Sequence, residues 1–199
     1  MPKRTLFTSL AVGWAALIGL GVWAMARYET TPGPVGPVPV VWPRETSLVL
    51  TKDAATILVF IHPRCSCSEA TLTELERLLN WGHGRVRALA IFAMPDNPGP
   101  AWANSSIVQR ASEIPNMTII QDRGGLEAHR FGALTSGFTE VFASTGALQF
   151  SGGITPARGQ TGDSKGAQAI RDAIIQGTPR SRRTRVFGCQ LENPSPPIS

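Results

Sequence analysis

The stretch Thr56-Ile-Leu-Val-Phe-Ile-His-Pro-Arg-Cys-Ser-Cys-Ser68 decides the fold. Its first six residues form a continuous run of β-branched and large apolar side chains and read as a buried strand. The run breaks at His62-Pro63. From Ser66 to Trp81, Ala70, Leu72, Leu75, Leu78 and Leu79 recur at helical spacing, with Glu69, Glu74 and Glu76 on other faces. A strand therefore passes into a helix across a turn that carries two cysteines. Cys65 falls at the helix N-terminus, where unpaired N–H groups and the positive end of the dipole favour a thiolate. That environment lowers a cysteine below its free pKa of about 8.5 and makes it reactive. Arg64 adds positive charge beside it. Cys65 and Cys67 can close only a small, strained ring, and strained disulfides are labile and oxidising.

Further along, Val86–Met94 reads as a second strand, stopped by Pro95-Asp-Asn-Pro98. A helix from Ala101 to Glu113, a strand over Met117–Gln121 and a short helix over Gly125–Phe131 follow. Thr139–Ala143 and Ala147–Phe150 form a hairpin turned at Ser144-Thr-Gly146. Asp163 or Ser164 caps a last helix running through Ile175, ended by Gly177 and Pro179. The order β-α-β-α-β-α-β-β-α predicts an α/β sandwich around a mixed central sheet.

At the N-terminus, Lys3 and Arg4 precede 21 residues, Leu6 to Ala26, without a charge. As a helix that run spans roughly 30 Å, the thickness of a bilayer core. Basic residues on the short flank predict a cytoplasmic N-terminus and an exported remainder. Ala24-Met25-Ala26 also fits a signal-peptidase site, but the run exceeds the usual apolar region of about 7–15 residues. The favoured reading of residues 1–26 is a membrane anchor. Either way the rest lies on the extracytoplasmic, periplasmic side, where disulfides persist. Residues 27–43, with five prolines between Pro32 and Pro43, predict an extended spacer before a domain at 44–178. The tail, 179–199, carries Cys189 and four arginines between Arg180 and Arg185.

In the whole chain, 19 basic against 14 acidic residues give a net charge of +5. Without a lysine-rich run or a zinc-finger spacing, that surplus makes no case for nucleic acid as a partner. The Gly-rich loop Gly152–Asp163 lacks the Gly-Lys-Ser/Thr of a phosphate-binding loop, and no hydrolase, metalloprotease or dinucleotide fingerprint is present. Three cysteines are too few for a disulfide scaffold and suggest a pair plus a reactive thiol. Cys189 resolves Cys65 or Cys67 if the tail folds back; otherwise it is a buried small residue or an intermolecular handle. His62 holds the loop by hydrogen bonding or lends a metal ligand, while His83 and His129 read as ordinary surface or core histidines.

Strand, His62-Pro-x-Cys-x-Cys-Ser68 and helix, followed by Thr135-Ser136-Gly137, Ser151-Gly-Gly-Ile-Thr-Pro-Ala-Arg158 and Val186-Phe-Gly-Cys189, resemble the thioredoxin-like superfamily. Over roughly residues 44–190 the likeness is greatest to the membrane-anchored RedB-type thioredoxin-like proteins. The resemblance implies a thioredoxin-like sandwich and thiol–disulfide exchange with an extracytoplasmic protein thiol or disulfide. It makes Cys65 and Cys67 the catalytic thiols, without a cofactor, and His62, Pro63, Arg64, Ser68, Ser136 and Gly137 the residues that shape the site. Two departures stand out: Cys67 lies between the usual two cysteine positions, with Ser68 in the second, and Gly137 replaces the usual cis-proline. An open site without that proline raises a rival reading, similar to the Sco copper chaperones of respiratory enzyme assembly. There Cys65, Cys67 and His62 would hold copper, since soft thiolates suit Cu(I). A third reading is a docking module that keeps the fold without the chemistry.

Overall fold

A computed structural model describes residues 2–176 and 183–191. Helix α1 (Pro2–Thr30) stands as one unit, and the chain from Pro32 onward as another. Leu6, Phe7, Leu10, Trp14, Leu17 and Trp23 of α1 are all exposed. From Thr5 the helix is long and apolar enough to cross a membrane. It continues four residues past Ala26, the expected end, because nothing in Arg27-Tyr-Glu-Thr30 breaks a helix. Thr31 precedes Pro32, and the residue before a proline is pushed out of the helical region.

The second unit runs β1 (Ala55–Ile61), α2 (Cys67–Gly82), β2 (Val86–Met94), α3 (Pro100–Ala103), α4 (Ser106–Ser112), β3 (Met117–Arg123), α5 (Leu126–Arg130), β4 (Phe138–Phe142), β5 (Leu148–Gly153) and α6 (Lys165–Gln176). The five strands form one sheet in the order β3-β2-β1-β4-β5. β1, β2 and β3 are parallel; β4 is antiparallel to β1, and β5 to β4. The predicted mixed sheet is thus present, and β1 lies at its centre. One predicted helix is split. The Ser105 side chain accepts from the Val108 N–H at 3.3 Å and starts α4 afresh after α3.

β1 is buried on both faces, as its unbroken apolar run requires. Ile57, Val59 and Ile61 pack with Leu72 and Leu75 of α2, Ile107 of α4 and Ile170 of α6. Leu58 and Phe60 face Phe131, Phe138 and Phe142 on the opposite side.

The proline-rich stretch is extended, as expected, but it is no free spacer. The Gly36 N–H donates to Gly132 O at 2.8 Å, and the Trp42 N–H to Gly146 O at 2.8 Å. The Trp42 ring meets Phe131 at 5.5 Å and Phe142 at 5.1 Å between centroids. Proline removes donors, so glycine and non-proline N–H groups make these bonds. The domain therefore begins near Pro32 rather than Arg44. Trp42→Ala should cost about 3 kcal/mol in urea unfolding, the low end for an aromatic truncation; a loss under about 0.5 kcal/mol would restore the spacer.

Candidate functional site

The thiol centre begins where β1 ends. The Cys65 N–H donates to His62 O at 3.1 Å, and the Ser68 N–H to Cys65 O at 3.0 Å. This turn places Cys65 just before the helix cap Ser66, so Cys67, not Cys65, is the first helical residue. Cys65 is 2% exposed, while Cys67 is half-buried. Pro63 is buried in the turn and Arg64 is exposed.

His62, Ser68 and Ser136 form the frame. The Ser136 hydroxyl accepts from the His62 N–H at 2.9 Å and lies 3.0 Å from the Ser68 hydroxyl. The Ser68 hydroxyl also reaches His62 O at 3.3 Å, and His62 Nδ1 accepts from the Arg64 N–H at 3.2 Å. These bonds clamp the segment before β4 onto the cysteine turn. The histidine thus has the loop-holding role, and among the described residues the metal-competent group near the turn comprises only cysteines.

The third cysteine arrives from the tail. Residues 183–191 run back along the domain: the Thr184 N–H donates to Ser151 O at 3.1 Å, the Ser136 N–H to Cys189 O at 2.8 Å and the Leu191 N–H to Leu134 O at 3.0 Å. A Cβ on Gly188 would come within 1.9 Å of Ser136 O, so only glycine lets the two backbones approach this closely. Arg158 Nη1 donates to Gly188 O and fixes the same turn. Cys189 Sγ then lies 2.7 Å from Cys65 Sγ, and all three sulfurs fall within 4.8 Å of one another. The tail thus folds back, the condition under which Cys189 could resolve Cys65 or Cys67. The arginines Arg180 and Arg182 of the basic run lie outside the described residues, as do Gly177 and Pro179.

Electrostatics separates the thiols. Burial pushes Cys65 up, but hydrogen bonding by the Cys189 thiol and by the Cys189 and Cys67 N–H groups holds it below the usual thiol range. The Cys67 N–H opens α2, so the helix terminus acts here through one amide. Burial, and then Cys65, push Cys189 up to about 12. Burial and the neighbouring Cys65 charge likewise raise Cys67, which Arg158 partly offsets. Arg64, expected to supply this charge, instead lies over the Trp102 ring at 5.5 Å. Its position next to Cys65 in sequence says nothing of where a long, exposed side chain points. Arg158 was legible only as part of a motif.

Gly137 stands where the resemblance would place a cis-proline. Its φ is +88°, its N–H donates to Phe60 O at 2.8 Å, and no described peptide bond is cis. Proline, with φ fixed near −65° and no N–H, cannot occupy this position. Gly137→Pro should therefore not rebuild a proline-gated site. It should cost the fold about 3 kcal/mol or more, visible as lost cooperative unfolding by circular dichroism; a stable variant would contradict the geometry.

Comparisons with known proteins bear on the frame. No family model and no curated protein matches this chain. Among solved structures, an uncharacterized conserved protein from Geobacillus kaustophilus is 21% identical with a TM-score of 0.60, covering 84% of this chain and 93% of that one. A hypothetical protein from Sinorhizobium meliloti 1021 is 17% identical with a TM-score of 0.57, covering 81% and 93%. The exposed lipoprotein thioredoxin Etrx1 of Streptococcus pneumoniae strain TIGR4 is 16% identical with a TM-score of 0.42, covering 62% and 84%. The topology itself carries the fold: a central β1 runs into a cysteine turn and α2, with parallel β2 and β3 on one side of it and the antiparallel hairpin β4-β5 on the other. The chain has the thioredoxin-like fold. On that fold the Cys-x-Cys turn lies between the central strand and the helix that follows it, with a third thiol added from the tail.

Proposed function

We propose that this chain is a membrane-anchored, extracytoplasmic thiol–disulfide oxidoreductase, of the RedB-like kind that its motifs resemble, with Cys65 and Cys189 as its exchanging couple. The observation that carries the reading is the 2.7 Å approach of their sulfurs on a thioredoxin-like frame. The apolar α1 supports an anchor, and basic Lys3 and Arg4 support a cytoplasmic N-terminus.

The chemistry balances as follows. The Cys65 thiolate attacks one sulfur of a partner's disulfide; that bond breaks, a mixed disulfide forms, and the departing partner thiolate takes up a proton. Cys189 then loses its proton and attacks Cys65 Sγ, releasing the second partner thiol and closing Cys65–Cys189. Two electrons pass to the partner, and the reverse sequence oxidises a partner dithiol. The order follows from charge. Cys189 is held protonated partly by the Cys65 thiolate, and forming the mixed disulfide removes that charge. Cys67, within 4.8 Å of Cys65, can instead attack Cys65 Sγ of the mixed disulfide, which releases the partner's second thiol and closes a transient Cys65–Cys67 bond; Cys189 then attacks Cys65 Sγ and frees the Cys67 thiolate.

The full chain in detergent should reduce a fluorescent disulfide peptide after reduction by a non-thiol phosphine and removal of the excess. Cys65→Ser should abolish the reaction. Exchange at the wild-type rate in Cys65→Ser would overturn the proposal.

A further inference from the structure

We propose that the reduced chain holds one Cu(I) ion in a three-thiolate site made by Cys65, Cys67 and Cys189. The inference goes beyond the exchange reading and does not need it. One sulfur comes from the turn at the end of β1, one from the first residue of α2, and one from the tail, 124 positions after Cys65. The three lie within 4.8 Å of one another, near enough to share one ion with small rotations of the side chains. The donor set decides the metal class. It contains no carboxylate and no imidazole among the described residues, and soft thiolates without hard ligands suit Cu(I), zinc and iron–sulfur clusters. Structural zinc takes four protein ligands in a tetrahedron, and the group offers three.

Burial is consistent with this choice at one ligand, since Cys65 is 2% exposed, while Cys67 and Cys189 are half-buried. Cu(I) is best kept where water has little access. Arg158 reaches the tail at Gly188 and acts on Cys67, so a cation already offsets part of the charge of three thiolates. The ligand set differs from that expected from the sequence: Cys189 takes the place of His62, whose Nδ1 accepts from the Arg64 N–H. The ion would also lock the tail to the turn, as a disulfide between Cys65 and Cys189 would, so disulfide and metal are mutually exclusive.

The test titrates Cu(I), without oxygen, into the phosphine-reduced full chain in detergent against a chromogenic Cu(I) chelator. One Cu(I) per chain is expected, with three sulfurs in its X-ray absorption spectrum. Cys67→Ser and Cys189→Ser should each weaken binding by roughly 100-fold, at least the loss seen when an outer-sphere partner is removed. No retention against the chelator would overturn the site, as would two sulfurs in the spectrum or wild-type affinity in Cys189→Ser. Disulfide exchange is measured on the same preparation. Exchange without Cu(I) binding sinks this inference alone, and Cu(I) binding without exchange sinks the functional reading alone.

Discussion

Oxidised protein should unfold at a temperature on the order of 10 °C higher than reduced protein, and Cys189→Ser should abolish the difference. A bond between Cys65 and Cys189 would close a loop across 124 positions. Closing so long a loop removes unfolded-state entropy worth up to about 5 kcal/mol. For a domain of this size each kcal/mol moves the midpoint by roughly 2–4 °C. A Cys65–Cys67 ring would close almost no loop and shift the midpoint little. The measurement is differential scanning calorimetry of the full chain with and without a phosphine reductant. Equal midpoints, or a difference that survives in Cys189→Ser and vanishes in Cys67→Ser, would show that the tail is not the partner.

The second large effect is away from the thiols. Glu140 on β4 is 0% exposed, and neither carboxylate oxygen has a hydrogen-bond partner among the described residues. It lies opposite Leu58 and Ser151, on the strand face it shares with Phe138 and Phe142. Burial pushes its pKa up to about 9, so the carboxyl is neutral in the folded protein at pH 7. In the unfolded chain it ionises near the usual 4.5. Between those two values unfolding releases a proton, and stability falls as pH rises, by at most about 1.4 kcal/mol per pH unit. Below pH 4.5 and above pH 9 this contribution is flat. Glu140→Met should remove both the slope and the cost of an unpaired buried polar group, stabilising the protein at pH 8 by at least about 2 kcal/mol. The quantity to follow is the difference in urea-unfolding free energy between variant and wild type from pH 4 to pH 9. A difference that stays constant with pH, or a destabilised variant, contradicts a neutral buried carboxyl.

What could be read from the sequence was what local chemistry controls. β2 has the predicted limits, Val86 and Met94, because an apolar run lies between a glycine-containing turn and Pro95. The turn at Cys65 was legible because a strand pattern meets a helix pattern there. The docking of residues 32–43 was hidden, since its hydrogen bonds come from scattered N–H groups and leave no hydrophobic period. The tail was half legible. Cys189 stood out as a third thiol, but its place depends on Gly188 passing Ser136 and on Arg158 holding the turn, contacts between segments far apart in the chain. Glu140 gave a misleading signal, because a lone acid in a hairpin strand ordinarily reads as a solvent-facing residue. Gly137 showed that a cis-proline was missing, but not that its φ would exclude a proline altogether.

The exchange proposed above requires Cys65 and Cys189 to form a reversible couple. The full chain should be equilibrated in glutathione buffers of graded potential, blocked with iodoacetamide and digested with trypsin without reduction. Cleavage after Arg64, Arg77 and Arg185 separates a peptide carrying Cys65 and Cys67 from one carrying Cys189. These two peptides should become linked as the buffer is made oxidising and separate again on reduction, with Cys67 alkylated throughout. An internal Cys65–Cys67 bond, or three alkylated thiols at every potential, would contradict it.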